Sequence, residues 1–196
     1  MSTMSPPFPV KQYSVIYADP PWTYKQGGRG AAAGHYATMS TEDICAMPVR
    51  TLYRAGGGAV CLMWATFPNI GEAIKVMEAW GFEYKTAAFV WVKKTAKGAN
   101  FWGMGAYTRA NAEVCLLGVT PGFKAGKMVK AHNVHQVIEA PFEGHSKKPA
   151  EARRRIVQLF GDIPRIELFA RERADGWDAW GNEIEEDKRH DEQICH

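Results

Sequence analysis

The stretch that decides the fold runs from Tyr13 to Trp22 and reads YSVIYADPPW. Its first six residues are mostly β-branched or aromatic, which favours a buried strand. Asp19, Pro20, Pro21 and Trp22 follow directly. Two consecutive prolines cannot donate to a strand ladder, so the chain must leave the sheet there. We therefore expect a strand that ends abruptly at an acid.

Further apolar runs recur along the chain, separated by helical patterns and Gly-rich connections. Three segments predict helices: a short one capped by Ser40, one that follows Asn69, and one that begins at Lys148 and Pro149. Strands that alternate with amphipathic helices indicate an α/β fold with a mostly parallel sheet covered on both faces. The predicted strands after the first are 59–65, 86–92, 112–119, 136–139, 165–170 and 177–180.

Ligands bind such sheets outside the carboxyl ends of the strands, at a topological switch point. Asp19 lies at one predicted strand end, and the residues that follow Phe169 lie at another. We therefore expect the functional site at this edge of the sheet.

The composition suits one soluble domain over residues 1–196, with a lead-in over 1–10 and a charged tail over 185–196. Of the 196 residues 46% are hydrophobic and 23% charged, and the net charge is +3. No apolar run approaches the roughly 20 residues of a membrane-spanning helix, and the N-terminus does not read as a secretory signal. The four cysteines form no CxxC pair, which favours reduced thiols in the cytoplasm. His132 and His135 lack a third ligand nearby, so we expect no metal site.

Asp19 and the two prolines form a rigid surface of hydrogen-bond acceptors, because proline has no N–H group. Trp22 offers a flat face for stacking. Acceptors beside a stacking plane suit a planar ring that carries an exocyclic amine, with one N–H donated to Asp19 and another to the Pro20 carbonyl. Such a site orients the amine for in-line attack. The alternative is a rigid turn in which Trp22 is a core residue.

Seven segments of the chain form a recognisable set: ADPPW at 18–22, HYATMS at 35–40, FVWVKK at 89–94, AYTRANAEVCLLGV at 106–119, HSKKP at 145–149, RIELFARE at 165–172 and WDAWGNE at 177–183. Together they resemble one family, the N6-adenine methyltransferases of the mRNA-adenosine methyltransferase catalytic subunits and their phage and bacterial DNA-adenine relatives. The resemblance covers residues 13–184 and implies a Rossmann-like, S-adenosylmethionine-dependent fold with the catalytic motif before the cofactor-binding strand. Two departures are that Ala170 stands where a glycine would let a cofactor approach most closely, and that the usual glycine-rich loop is absent.

The resemblance implies roles for individual residues. Asp19, Pro20, Pro21 and Trp22 are the expected catalytic residues. The expected cofactor-binding residues are Asp19, Pro20, Lys148, Phe169, Arg171, Asn182 and Glu183. Lys148 could instead be a solvated lysine, Arg171 could pair with Glu172 or Asp175, and Asn182 with Glu183 could form a simple turn.

Three loops, 23–38, 93–108 and 122–135, carry basic residues interleaved with aromatic ones, which suits phosphate contact and base stacking. Ordinary solvated lysines are the alternative, and Tyr36 could be a core aromatic residue. His145 and Ser146 could position Lys148. The expected substrate-binding residues are Tyr24, Tyr36, Lys93, Lys94, Tyr107, Arg109 and Glu113.

These features predict a methyltransferase that modifies the N6 amine of adenine in nucleic acid with low or short-motif sequence specificity. DNA is favoured over RNA by analogy with compact relatives. A monomer or homodimer without a membrane partner is expected. The alternatives are an RNA adenosine methyltransferase, a non-catalytic nucleic-acid-binding subunit on the same fold, and methylation of a cytosine amine or a protein amide.

Overall fold

A computed structural model of the chain describes residues 6–23, 38–105, 107–143 and 147–184. Within these ranges the strands are β1 (Val15–Ala18), β2 (Val60–Ala65), β3 (Glu83–Lys94), β4 (Ala112–Val119), β5 (Val137–Pro141), β6 (Arg165–Leu168) and β7 (Asp178–Trp180). The α-helices are α1 (Thr41–Ala46), α2 (Ile70–Ala79) and α3 (Ala150–Phe160).

The strands form a single sheet in the order β5-β3-β4-β2-β1-β6-β7. β1 runs parallel to both β2 and β6, β7 is parallel to β6, and β5 is parallel to β3. Only β4 among these strands runs the other way, antiparallel to β2 and β3. The prediction of a mostly parallel sheet is confirmed. At one end of the strands, the carboxyl ends of six of them therefore lie beside the start of β4. We call this side of the sheet the carboxyl edge. The six strands are β1, β2, β3, β5, β6 and β7.

The chain order reverses at β1, which pairs with β2 on one side and with the much later β6 on the other. Such a reversal opens a crevice outside the strand ends. Asp19 follows β1 and Phe169 follows β6, so the two predicted strand ends are neighbours at this crevice.

Both faces of the sheet are covered, which explains why β1 and β2 read as continuous apolar runs. Ile16 and Ala18 of β1 belong to the core cluster on the side of α1 and α2. Val15 and Tyr17 belong to the cluster on the side of α3. The alternation of side chains along a strand thus divides β1 between two cores.

Local signals place several boundaries correctly. The Ser40 side chain caps α1 by accepting a hydrogen bond from the Asp43 backbone N–H at 3.0 Å. The prediction for β4 matches its observed bounds. β3 extends beyond the predicted 86–92, because its first residues, among them Glu83 and Lys85, are exposed and polar and carry no strand signal.

In the described part of the chain, no helix has both the length and the apolar character that crossing a membrane requires.

Candidate active site

The turn after β1 is held by its own backbone. The Trp22 backbone N–H donates to the Pro20 carbonyl at 2.9 Å, and Met39 N–H donates to the Pro21 carbonyl at the same distance. Thr23 Oγ1 donates to the Met39 carbonyl at 2.8 Å. These bonds join Pro21 and Thr23 to Met39. The Pro20 carbonyl, predicted as an acceptor for substrate, already accepts one hydrogen bond.

Trp22 is a core residue. Its side chain is 7% exposed and packs in the cluster beneath α1 and α2. The indole N–H donates to the Trp64 carbonyl at 3.1 Å. The alternative reading of Trp22 as a core residue therefore describes its position, and its ring is not open to stack on a base. Its contribution is to hold the Asp19 turn against β2.

Four charged side chains from distant segments form what we call the charge network: Asp19, Lys148, Glu113 and Lys93. Lys148 Nζ donates to Asp19 Oδ2 at 2.8 Å and lies 3.2 Å from Glu113 Oε2. Lys93 Nζ donates to Glu113 Oε1 at 2.5 Å. The exposed fractions of these side chains are only 9–19%. Two carboxylates and two ammonium groups therefore alternate at the carboxyl edge with no formal net charge.

Burial and pairing set the protonation of this network. Burial raises the pKa of the Asp19 carboxyl, and Lys148 only partly opposes this effect. Burial alone would raise the pKa of Glu113, but Lys148 and Lys93 together lower it. Burial alone would lower the pKa of Lys148, but the two acids raise it. Lys148 therefore stays a cation, Glu113 stays an anion, and Asp19 is the acid of the network that binds a proton more readily.

Aromatic rings surround the network and limit access of water. Lys148 Nζ lies 5.8 Å from the centre of the Trp64 ring. Lys93 Nζ lies 5.1 Å from the Trp91 ring and 4.9 Å from that of Phe142. No sequence pattern predicted that these rings belong to the site. The signal that could have found Trp64 is its position at the end of β2, next to the predicted end of β1.

A second part of the site lies where β6 and β7 end. Phe169 adopts a left-handed backbone conformation with φ 60°, so the strand predicted to reach residue 170 stops at Leu168. Ala170 N–H donates to the Trp180 carbonyl at 3.0 Å. A Cβ atom on Gly181 would lie 2.2 Å from the Ala170 carbonyl oxygen, so only glycine permits this close approach.

Arg171 and Glu183, both predicted to bind cofactor, are brought together here. Arg171 Nε lies 3.7 Å from Glu183 Oε1. Glu172, the alternative partner for Arg171, instead binds Arg153 and Lys147. Asn182 lies exposed in the turn after β7.

Of the predicted substrate residues, Lys93 and Glu113 belong to the charge network, and the others lie apart from it or outside the described ranges. Lys94 pairs with Glu139 at 2.8 Å on the adjacent strand. Tyr107 and Arg109 are exposed on the loop between β3 and β4. Lys93, predicted as a basic residue for phosphate, is instead an internal partner of Glu113. Tyr24, Tyr36, His145 and Ser146 lie outside the described residues.

A cleft of about 840 Å³ lies at the opposite edge of the sheet, near the start of β3 and the end of β4. Its walls include Arg50, Tyr84 and Phe123. Despite its volume, we place the candidate active site at the carboxyl edge, because the buried titratable groups with shifted pKa values converge there.

Comparison with known proteins decides the family of the chain. The profile of the MT-A70 family matches residues 13–183. The chain belongs to the MT-A70 family. This MT-A70 chain is 34% identical to the type II methyltransferase M.MunI of Mycoplasma sp., over 93% of the chain and 82% of that protein. It is 28% identical to the human N(6)-adenine-specific methyltransferase METTL4, over 89% of the chain and 38% of that protein.

A plant relative of the MT-A70 chain is the probable N(6)-adenosine-methyltransferase MT-A70-like protein of rice, at 25% identity over 88% of the chain. The alignment spans only 23% of the rice protein. The chain thus spans less than two fifths of the human and rice relatives but most of M.MunI. The family predicted from the sequence is confirmed, and with it the Rossmann-like methyltransferase fold.

Proposed function

We propose that this protein is a cytoplasmic S-adenosylmethionine-dependent methyltransferase that modifies the N6 amine of adenine in DNA, with low or short-motif sequence specificity. The observation that carries the proposal is the buried Asp19 carboxylate at the end of β1, held by Lys148 at 2.8 Å in a chain of the MT-A70 family. The family and the named relatives support adenine-N6 methylation of nucleic acid. The choice of DNA follows the similarity to M.MunI, a type II methyltransferase.

The residues at the carboxyl edge suit S-adenosylmethionine by the chemistry of their donors and acceptors. Lys148 and Arg171 offer cations for the methionine carboxylate, and Glu183 offers an acceptor for the ribose hydroxyl groups. Asn182 extends that polar side, and Phe169 supplies an apolar surface for the adenine ring. When bound, S-adenosylmethionine supplies the methyl group from its sulfonium.

The charge network explains how Asp19 would orient the amine of the substrate. Lys148 contacts the Oδ2 atom of Asp19, so we expect the adenine N6–H to donate to Oδ1. Glu113 pairs with Lys148, and Lys93 pairs with Glu113. The Asp19 carboxylate is therefore fixed before the substrate binds. Fixed acceptors need no reorganisation during transfer, which is the basis of electrostatic preorganisation.

Asp19 also suits the removal of a proton. The amine nitrogen must release one proton when it gains the methyl group. Because burial raises the pKa of Asp19, this carboxylate accepts a proton more readily than an exposed aspartate does. Asp19 would thus both orient the substrate amine and accept its proton.

The test is methyl transfer to DNA and RNA, followed by digestion to nucleosides and mass spectrometry. We expect N6-methyladenine in DNA from the wild-type protein and none from Asp19→Ala, which should keep part of its cofactor binding. Asp175→Ala is the matched control, because Asp175 is exposed in the loop before β7.

Each other outcome selects an alternative. Methylation of RNA alone would identify an RNA adenosine methyltransferase. A different methylated base alone would select the cytosine reading. A folded wild-type protein that binds nucleic acid but shows no binding of S-adenosylmethionine by calorimetry would be a non-catalytic subunit. Full activity of Asp19→Ala would refute the role given to Asp19.

A further inference from the structure

The loop between β3 and β4 presents large apolar side chains to solvent. Trp102, Met104 and Tyr107 have exposed fractions of 57%, 90% and 99%; we call these three residues the apolar tip. Single exposed apolar residues are common, but a group of this kind within six positions indicates a surface that meets a partner.

The backbone that carries the apolar tip is well braced. Lys93 N–H donates to the Asn111 carbonyl and Gly103 N–H to that of Ala110, each at 2.7 Å. Phe101 packs on Phe142 with ring centres 4.8 Å apart. A Cβ atom on Gly105 would lie 2.0 Å from the Thr108 carbonyl oxygen, so the chain folds back on itself too tightly for a side chain there. The base of the loop, as far as Gly103 and Ala110, is therefore held by backbone hydrogen bonds and ring packing.

The loop rises directly from the candidate active site. Lys93 stands at the end of β3 where the loop begins, and Glu113 stands at the start of β4 where the loop returns. These two residues form one half of the charge network. A nucleic acid whose adenine reached Asp19 would thus lie against the carboxyl edge from which the loop projects.

The charge of the loop favours a polyanion as its partner. Lys93 and Lys94 at the base of the loop pair with Glu113 and Glu139, but residues 95–112 include Lys97 and Arg109 and no acidic residue. Arg109 is exposed, and its Nη1 lies 3.3 Å from the Met104 sulfur, so a cation stands beside the tip. A symmetric contact between two copies would place these cations against one another, because an isologous interface repeats the same patch on both sides.

We propose that the apolar tip inserts into the base stack of the DNA and fills the space that the target adenine vacates when it turns out towards Asp19. The proposal rests on the proposed function. An adenine inside a duplex cannot reach a buried carboxylate without leaving its stack. Apolar side chains, methionine among them, act as wedges between base steps, and aromatic rings stack on bases of any sequence.

The first experiment compares transfer to the same unmethylated amplified DNA in native and heat-denatured form. For the Met104→Ser, Tyr107→Ser double variant we expect kcat/KM on the duplex to fall about tenfold, the scale of a lost stacking contact. Denatured DNA, in which the target adenine is already unpaired and leaves no gap in a duplex, should lose little. Val10→Ser is the matched control, because Val10 is 99% exposed but lies ahead of β1. An equal loss on both substrates, or no loss on either, would overturn the proposal.

A contact with phosphate alone gives a different pattern. Lys97→Ala should weaken transfer to both forms of DNA and reduce the salt dependence of binding, because each phosphate contact contributes about one counterion to the slope. If the double variant behaved like Lys97→Ala, the tip would be part of the phosphate-binding surface and not a wedge.

A second measurement needs no methyl transfer, so it separates failure of the wedge from failure of the proposed function. We expect the wild-type protein to bind a duplex with one abasic site about tenfold more tightly than the intact duplex. This difference is within the range of free energies that one base stacked on an aromatic side chain contributes. The double variant should lose this preference. No preference in the wild type would overturn the proposal. Conversion of a wild-type dimer to monomers by the double variant, seen by analytical ultracentrifugation, would overturn it in favour of a protein interface.

Discussion

Lys148 is the residue whose removal most directly tests the charge network. Lys148→Met keeps the aliphatic stem and removes the cation that Asp19 and Glu113 share at 2.8 and 3.2 Å. Removing one partner of a buried ion pair costs about 3–5 kcal/mol, because the other charge stays buried and unpaired. The three side chains are 9–19% exposed, so some water remains near them. We therefore expect a loss near the lower limit, about 3 kcal/mol of the free energy of unfolding.

The loss should depend on pH with a definite sign. Without Lys148, the pKa of Glu113 rises from below its ordinary range, and that of Asp19 rises further above its own. The folded variant then binds more protons than the unfolded chain once the pH exceeds the unfolded pKa values of about 4. Its stability therefore falls as the pH rises from about 4 to 7, and the difference from wild type is largest at neutral pH.

Urea denaturation at pH 7 and pH 5 measures both effects, provided that the m values of wild type and variant agree. Lys147→Met is the matched control on the adjacent residue. Lys147 is 48% exposed and lies 3.3 Å from Glu172, a surface pair that should contribute less than about 1 kcal/mol. Two results would show that the charge network does not stabilise the protein. One is a loss of unfolding free energy at pH 7 that is no larger for Lys148→Met than for Lys147→Met. The other is a loss for Lys148→Met that is larger at pH 5 than at pH 7.

Two further predictions concern the turns that shape the site. Trp22→Ala should lower the free energy of unfolding by about 3–5 kcal/mol, as for other buried tryptophans, whereas Trp102→Ala at 57% exposure should change it little. Thermal or urea denaturation measures both, and equal losses of stability in the two variants would show that Trp22 does not pack in the core. Gly181→Ala should cost about 1–3 kcal/mol, because its Cβ meets the Ala170 backbone and must push β7 away. Gly71→Ala, in α2 with open space around it, should instead stabilise the protein by up to about 1 kcal/mol, and a Gly181→Ala variant as stable as wild type would contradict the crowding at this position.

Local patterns predicted the elements that depend on neighbouring residues. The apolar run before Asp19 indicates β1, because a strand buried on both faces needs side chains that suit two cores. Ser40 indicates the start of α1, because a cap requires only residues within one turn. Pro20 and Pro21 indicate the end of β1, because the missing N–H groups of the two prolines by themselves stop the strand ladder. The direction of β4 was not predicted, because its apolar pattern is the same whichever way the strand runs.

The sequence also indicated most members of the charge network as separate residues, but not their partners. The resemblance suggested Asp19, Lys148 and Glu113, whereas the basic and aromatic composition of the loops assigned Lys93 to phosphate contact. Lys93 instead binds Glu113 between two aromatic rings. Nothing in a basic run at the end of a strand distinguishes a lysine that turns inward from one that meets solvent.

The residues alone were enough to establish an α/β chain of the MT-A70 family with an acid at the end of its first strand, since these features lie in short segments. The folded chain was needed to show what each of those residues touches. Asp19 and Lys148 are 129 positions apart. They meet because β1 lies between β2 and β6 in the sheet, and because α3, which Lys148 precedes, packs on the face of the sheet that carries Val15 and Tyr17 of β1. Trp22 likewise turns into the core because of where β2 lies, and no local pattern carries that information.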